Sequence, residues 1–217
     1  MQSLMERPID YTTAREAMIN SQLRTSGVNA GWVLQRMRDV PRETFVPPAQ
    51  RIAAYSDRAV RLDEGHFLAA PVFYGMLLQE AQPTPADRVL IISPAADYLT
   101  ALVRPLVSEV LSQTPDEALQ PGETVGDITL LLIDGAGEQL PATLSARLAP
   151  GGRAAGGIIR NGVQRLATGR VVGSELVWQP VIEMGIPRLA EFDAPKKWQF
   201  WWSGGGVRPR CSPARHC

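Results

Sequence analysis

Residues 88–103 read RVLIISPAADYLTALV. The stretch opens on a continuous apolar run with β-branched residues, the mark of a strand covered on both faces. DYLTALVRPL, from Asp97, then has helical spacing, and Pro105 limits how far that helix can run. Strand, tight turn and helix together form the unit from which parallel α/β sheets are built, and the turn is where such sheets receive nucleotide-like ligands. Here the turn is Ser93-Pro94-Ala95-Ala96-Asp97, with no glycine in it. Whether it still receives a ligand is the question this sequence poses.

On either side the texture supports the same architecture. GDITLLLID (126–134) is a second strand apolar on both faces, and SEVLSQ (108–113) a shorter one. EQLPATLSARLAPGG (138–152) reads as a helix with Leu140, Leu144 and Leu148 four apart, closed by Gly151-Gly152. AAGGIIR and VQRLATGRVV then flank Asn161-Gly162, a type I′ hairpin signal, and SELVWQPVIEM adds a further strand. Ahead of the first strand, Thr13-Ala14-Arg15-Glu16 has capping-box spacing and starts a helix through Met18, Ile19, Gln22 and Leu23. A second helix runs from Asn29 with Val33, Leu34, Met37 and Val40 on one face. A third opens at Pro71 with Phe73, Met76, Leu77 and Ala81 inward. The expectation is an α/β fold: a mainly parallel sheet, antiparallel C-terminal strands and an N-terminal helical cap.

The chain's 217 residues suit one well-cored domain, expected over 1–202, with the cap at 12–82 and the α/β core at 86–200. SGGGVRPRCSPARHC (203–217) reads as a disordered tail. Lys+Arg and Asp+Glu both number 22, so no global field recruits nucleic acid or an anionic membrane. Cys211 and Cys217 both lie in the tail, which leaves the body no disulfide framework and points to the cytoplasm. With His216 they fall short of the four ligands of a structural zinc site, and no metal is expected. The first residues lack the apolar core of a secretory signal, and no apolar run approaches the roughly 18 residues a membrane span requires.

On these residues the chain resembles the protein-L-isoaspartate O-methyltransferases. The resemblance is carried by MINSQLRTSGV, VLQRMRDVPRETFVP, AYSDRAVRL, PADRVLIISPAADYLTA, GDITLLLIDGA, LSARLAPGGR and IPRLAEFDAPKKWQF, together spanning nearly all of 15–200. The VPRE-x-FVP and AY-x-D blocks are its most specific parts. It implies a Rossmann-like fold, S-adenosylmethionine as methyl donor, and methylation of isoaspartyl carboxylates in a protein or peptide substrate.

Against that family the chain departs in three places. The family's turn is acidic-x-Gly-x-Gly-x-Gly; here the acid is Ile91 and the glycines are Ser93, Ala95 and Asp97. Side chains then stand where bare backbone meets the donor, and any position needing φ > 0 costs roughly 1 kcal/mol or more. Ser93, Ala95, Asp97 and Tyr98 are the implied donor-facing positions, although Tyr98 reads equally as helix packing. Secondly, Leu111-Ser112-Gln113-Thr114 holds no carboxylate for the ribose. Residues 115–125 are too few for a crossover helix and a strand, so the sheet is expected to be shortened at that edge. Thirdly, Ala69 replaces the functional serine of the substrate loop Gly65–Pro71, and His66 reads as a surface or loop histidine. Asp134 and Gly135 match the family's acidic-Gly-Ala block, either as a cofactor edge or as a strand-end turn. Together the three losses favour a non-catalytic relative, a protein-interaction or assembly module, over a working methyltransferase. Trp198, Trp201 and Trp202 read as a partner patch or, for Trp198 with Phe200, as the inward face of a last strand.

Overall fold

The computed structural model describes residues 10–195 apart from 64, 96 and 122–125, and leaves out the side chain of Asp97. The expectations for residues 196–217, including the tryptophans and the tail, lie outside the described residues.

Helix α1 (Tyr11–Met18) begins three residues earlier than the Thr13 capping box suggests. Asp10 is its cap, accepting from the N–H groups of Thr12 (3.0 Å) and Thr13 (3.2 Å), while Glu16 instead accepts from Arg38 at 2.6 Å. A π-helical turn, Ile19–Leu23, continues it. Helix α2 (Gly31–Asp39) buries Val33, Leu34 and Met37. A two-stranded hairpin, β1 (Val60–Arg61) and β2 (Phe67–Leu68), precedes helix α3 (Pro71–Ala81), which is buried along most of its length.

The main sheet follows. Strand β3 (Arg88–Ile92) leads through the Ser93–Asp97 turn into α4 (Asp97–Val103), then β4 (Glu109–Gln113), α5 (Pro115–Leu119), β5 (Ile128–Gly137), α6 (Ala142–Arg147), β6 (Leu148–Arg160), β7 (Val163–Val172) and β8 (Glu175–Glu183). The strand order is β4-β3-β5-β6-β7-β8, parallel from β4 to β6 and antiparallel from β6 to β8. This is a Rossmann-like α/β architecture whose sheet, among the described residues, ends at β4, with only the one-turn helix α5 described between β4 and β5. Thr114 and Glu117 cap that helix reciprocally.

Alternation along the strands divides the core in two, since successive strand residues point to opposite faces. Val89, Ile91, Leu130 and Leu132 pack with Met18, Leu34, Phe73, Leu77 and Tyr98 on the cap side. Leu90, Ile92, Leu131 and Ile133 pack with Ala118, Leu144 and Phe192 on the other. The expected helix over 138–152 is shorter than its leucine spacing suggests. Leu148 already belongs to β6, yet Leu144 and Leu148 share one core because the helix runs straight into the strand. Asn161 (φ 54°) and Gly162 (φ 75°) form the expected two-residue turn between β6 and β7.

Candidate functional site

Strand order reverses at β3: the chain steps outward to β4, then returns to β5 on the other side. The crevice beyond the carboxyl ends of β3 and β5 is where open α/β sheets bind ligands. The structure brings Ser93 and Asp134 together there and joins them. Ser93 is 2 % exposed, and its Oγ donates to Asp134 Oδ2 at 3.0 Å. The Ser93 N–H donates to the carbonyl of Gln113 (3.0 Å), and the Ala95 N–H donates to Ser93 Oγ (3.3 Å). Ser93 thus ties the turn after β3 to β5 and also holds its own turn. Ala95 is exposed, and Asp97 opens α4.

Asp134 lies within β5 and is buried, so its reading as a strand-end turn does not hold: β5 continues past it to Gly137. Tyr74 Oη also donates to Asp134 Oδ2, at 3.2 Å. Burial pushes the Asp134 carboxyl up to about 6, against the hydrogen bonds from Tyr74 and Ser93 and the positive charge of Arg42. Gly135 sits at φ 152° beneath the C-terminal segment, where a Cβ would lie 2.6 Å from Leu189 Cγ. That segment is tied down by the Ala136 N–H to the Pro187 carbonyl (2.8 Å) and the Leu189 N–H to the Ala136 carbonyl (2.9 Å). Packing beneath Leu189 and the positive φ together account for the glycine.

Behind these groups stands Arg42, fully buried and not identified from the sequence. Its guanidinium lies 5.1 Å from the Tyr98 ring centroid and 5.4 Å from that of Tyr74, and the two rings meet edge-on at 5.0 Å. Its Nε donates to the Ala54 carbonyl at 2.7 Å and its Nη2 to the Ala69 carbonyl, so Ala69 serves as a backbone anchor. Tyr98 is core, with its hydroxyl pKa raised by burial. Among the described residues Arg42 Nη1, Tyr98 Oη and Asp134 Oδ1 are buried without partners. Arg42 and Tyr74 could have been suspected only from a charge set in a proline-flanked apolar block and a tyrosine on an inward helix face.

At the β4 end, Arg147 takes the space. It is 2 % exposed; its Nη1 donates to Gln113 Oε1 and its Nη2 to the Gln120 carbonyl at 2.6 Å. His66 sits at the surface with its Nδ1 2.7 Å from Asp63 Oδ1.

Two cavities approach the turn. One of about 210 Å³ is lined by Pro94, His66 and Leu189, and one of about 510 Å³ by Ala95, Phe45 and Leu62; neither is lined by Ser93 or Asp134. A third, of about 660 Å³, is lined by Asp57, Arg58, Phe67 and Val72 and by Met184 and Ile186. Among the described residues no three His, Cys, Asp or Glu side chains converge as a metal site, and no helix is long and apolar enough to cross a membrane.

Residues 13–114 match the family described as protein-L-isoaspartate(D-aspartate) O-methyltransferase. The protein-L-isoaspartate O-methyltransferase of Roseiflexus castenholzii is 31 % identical over 169 residues, covering 67 % of this chain and 77 % of that protein. The one from Protochlamydia amoebophila is 31 % identical over 160 residues, covering 63 % and 76 %. A solved Plasmodium falciparum structure of this name, in complex with S-adenosyl-L-homocysteine, superposes with a TM-score of 0.64 at 15 % identity, over 82 % of this chain and 98 % of that one. At 31 % identity over 77 % of the Roseiflexus protein, and with the VPRE and AY-x-D blocks in place, the chain belongs to the protein-L-isoaspartate O-methyltransferase family.

Proposed function

We propose that this chain is a non-catalytic member of its family, one that engages protein segments without methylating them. The observation that carries the reading is the 3.0 Å hydrogen bond from Ser93 to buried Asp134, across the crevice a methyl donor would occupy. The residues present do not fit S-adenosylmethionine. Ser93 and Ala95 bring side chains to positions of bare backbone, and Pro94 withholds an N–H. Gln113 offers an amide already engaged by Arg147 where a carboxylate is needed to hold the ribose hydroxyls. Admitting a donor means giving up the Ser93 hydrogen bond to Asp134. A bond to a charged group is worth about 1.5–3 kcal/mol, so affinity falls by about one to two powers of ten.

The cavity between Asp57–Arg58 and Met184–Ile186 supports the binding half of the reading, since about 660 Å³ lies within the usual range for ligand sites. A protein or peptide partner and a cytoplasmic setting complete it. Residues 1–202 form one domain in this reading, a helical cap over 12–82 and an α/β core over 86–200.

A second reading, a divergent working methyltransferase, draws support from the unpartnered Asp134 Oδ1 and Tyr98 Oη, which leave polar atoms free beside the crevice. Calorimetric titration with S-adenosylmethionine, followed by labelled-methyl transfer to an isoaspartyl peptide, separates the two. The first reading predicts no saturable heat and no transfer. Low-micromolar binding with turnover would establish the second.

A further inference from the structure

The turn between β6 and β7 carries chemistry that the crevice does not. Asn161 and Gly162 are both exposed, at φ 54° and 75°. A side chain at Gly162 would meet nothing within 4 Å beyond its chain neighbours, so its Cα faces open space. The Gly162 N–H makes no hydrogen bond among the described residues, because the ladder closes between Arg160 and Val163. Neither does the Asn161 side chain. The other asparagines are placed differently. Asn20 lies inside the π-helical turn. Asn29 donates from Nδ2 to the Gly27 carbonyl (3.3 Å), and the nitrogen that follows it, on Ala30, donates to Gln79 Oε1 (3.1 Å).

We propose that Asn161 is a site of spontaneous modification, converting to aspartyl and β-linked isoaspartyl forms with water as the only co-reactant. The Gly162 nitrogen attacks Asn161 Cγ. The N–Cγ bond forms, the Cγ–Nδ2 bond breaks, and ammonia leaves with the proton that the Gly162 amide loses through solvent. Water then opens the cyclic imide. Cleavage at Cγ gives aspartate; cleavage at the main-chain carbonyl routes the backbone through Cβ and Cγ and leaves the α-carboxylate as the side group. The second product lengthens a two-residue loop by one methylene, and turn length sets hairpin register. The disturbance reaches Gln164, whose carbonyl accepts from the Met184 N–H (3.3 Å) and whose Oε1 accepts from the Ile186 N–H (3.0 Å). Both partners line the 660 Å³ cavity.

The test is to incubate the folded full chain in mildly alkaline buffer and map its peptides by fragmentation that separates aspartyl from isoaspartyl. The expected result is accumulation of both acids at position 161, with Asn20 and Asn29 unchanged, and complete loss of the signal in Asn161→Gly, which keeps the turn conformation. Amide exchange at Ile186 should quicken in the converted chain and stay at its starting rate in the variant. If Asn161 remains an amide in the folded chain, whether or not the urea-unfolded chain converts, the proposal is overturned. Unchanged exchange at Ile186 after conversion would overturn the transmitted effect.

Discussion

Asp134→Asn probes the closed crevice through its proton. In the fold burial pushes the carboxyl up from its ordinary 3.8 to about 6, against the hydrogen bonds from Tyr74 and Ser93. At about 1.4 kcal/mol for each tenfold change in acidity, the fold favours the neutral acid by about 3 kcal/mol. A raised folded pKa fixes the sign: the stabilisation is complete below the unfolded value and is lost as pH rises through the folded one. The stability of the parent relative to the asparagine variant should therefore fall by about 3 kcal/mol between about pH 4 and pH 7 and stay level above that. Taking the difference cancels groups common to both chains. Among them is Asp87, whose hydrogen bonds from Thr129, Thr84 and Arg153 outweigh its burial and hold its pKa down, with the opposite pH sense. The assay is urea unfolding at a series of pH values. A difference that does not change with pH, or that grows with pH in the parent's favour, would refute the placement of Asp134 in a buried, closed crevice.

Further substitutions probe the same region. Arg42→Met should destabilise the fold by about 2–4 kcal/mol in urea unfolding, because the Ala54 and Ala69 carbonyls lose their donor in a buried setting; Arg42→Lys should recover little, since a lysine cannot reproduce the fork and the stack. Gly135→Ala should cost about 1–3 kcal/mol, because a methyl there meets Leu189 and the φ of 152° strains any side chain; adding Leu189→Ala should not restore Tm, since the backbone strain stays and the lost leucine leaves a cavity. Restoring glycine at 93, 95 and 97 together should leave S-adenosylmethionine binding undetectable by calorimetry, because Arg147 and Gln113 still fill the β4 end; tight binding by that variant would show that the turn alone excludes the donor.

Much of the fold could be read locally. RVLIIS and DITLLLID announce two-faced strands because a central parallel strand has no solvent side, and Asn161-Gly162 announces its hairpin because both positions need φ > 0. The limits of α1 and α6 were harder. Asp10 competes with Thr13 for the cap, and the stripe through Leu144 and Leu148 is shared by a helix and the strand that follows it. At the site, the substitutions at Ser93, Ala95 and Ala69 were visible as departures from a pattern, but their consequence was not. That Ser93 would bind Asp134, 41 residues away, and that Tyr74 would join it depends on which strand ends are neighbours in space. Arg42 carries no local signal of burial, since it lies in an ordinary-looking Pro-Arg-Glu-Thr turn and gains its partners from residues 54, 69, 74 and 98. Gly135 resembles a ligand-facing glycine until the segment through Leu189 is seen lying on it.

A crystal structure grown with saturating S-adenosyl-L-homocysteine examines the closed crevice most directly. The account predicts Ser93 Oγ still within hydrogen-bonding distance of Asp134, Tyr74 on the same carboxylate oxygen, and no density for the nucleoside beside them. Full occupancy of that molecule between the ends of β3 and β5, with the Ser93 side chain swung away from Asp134, would contradict it.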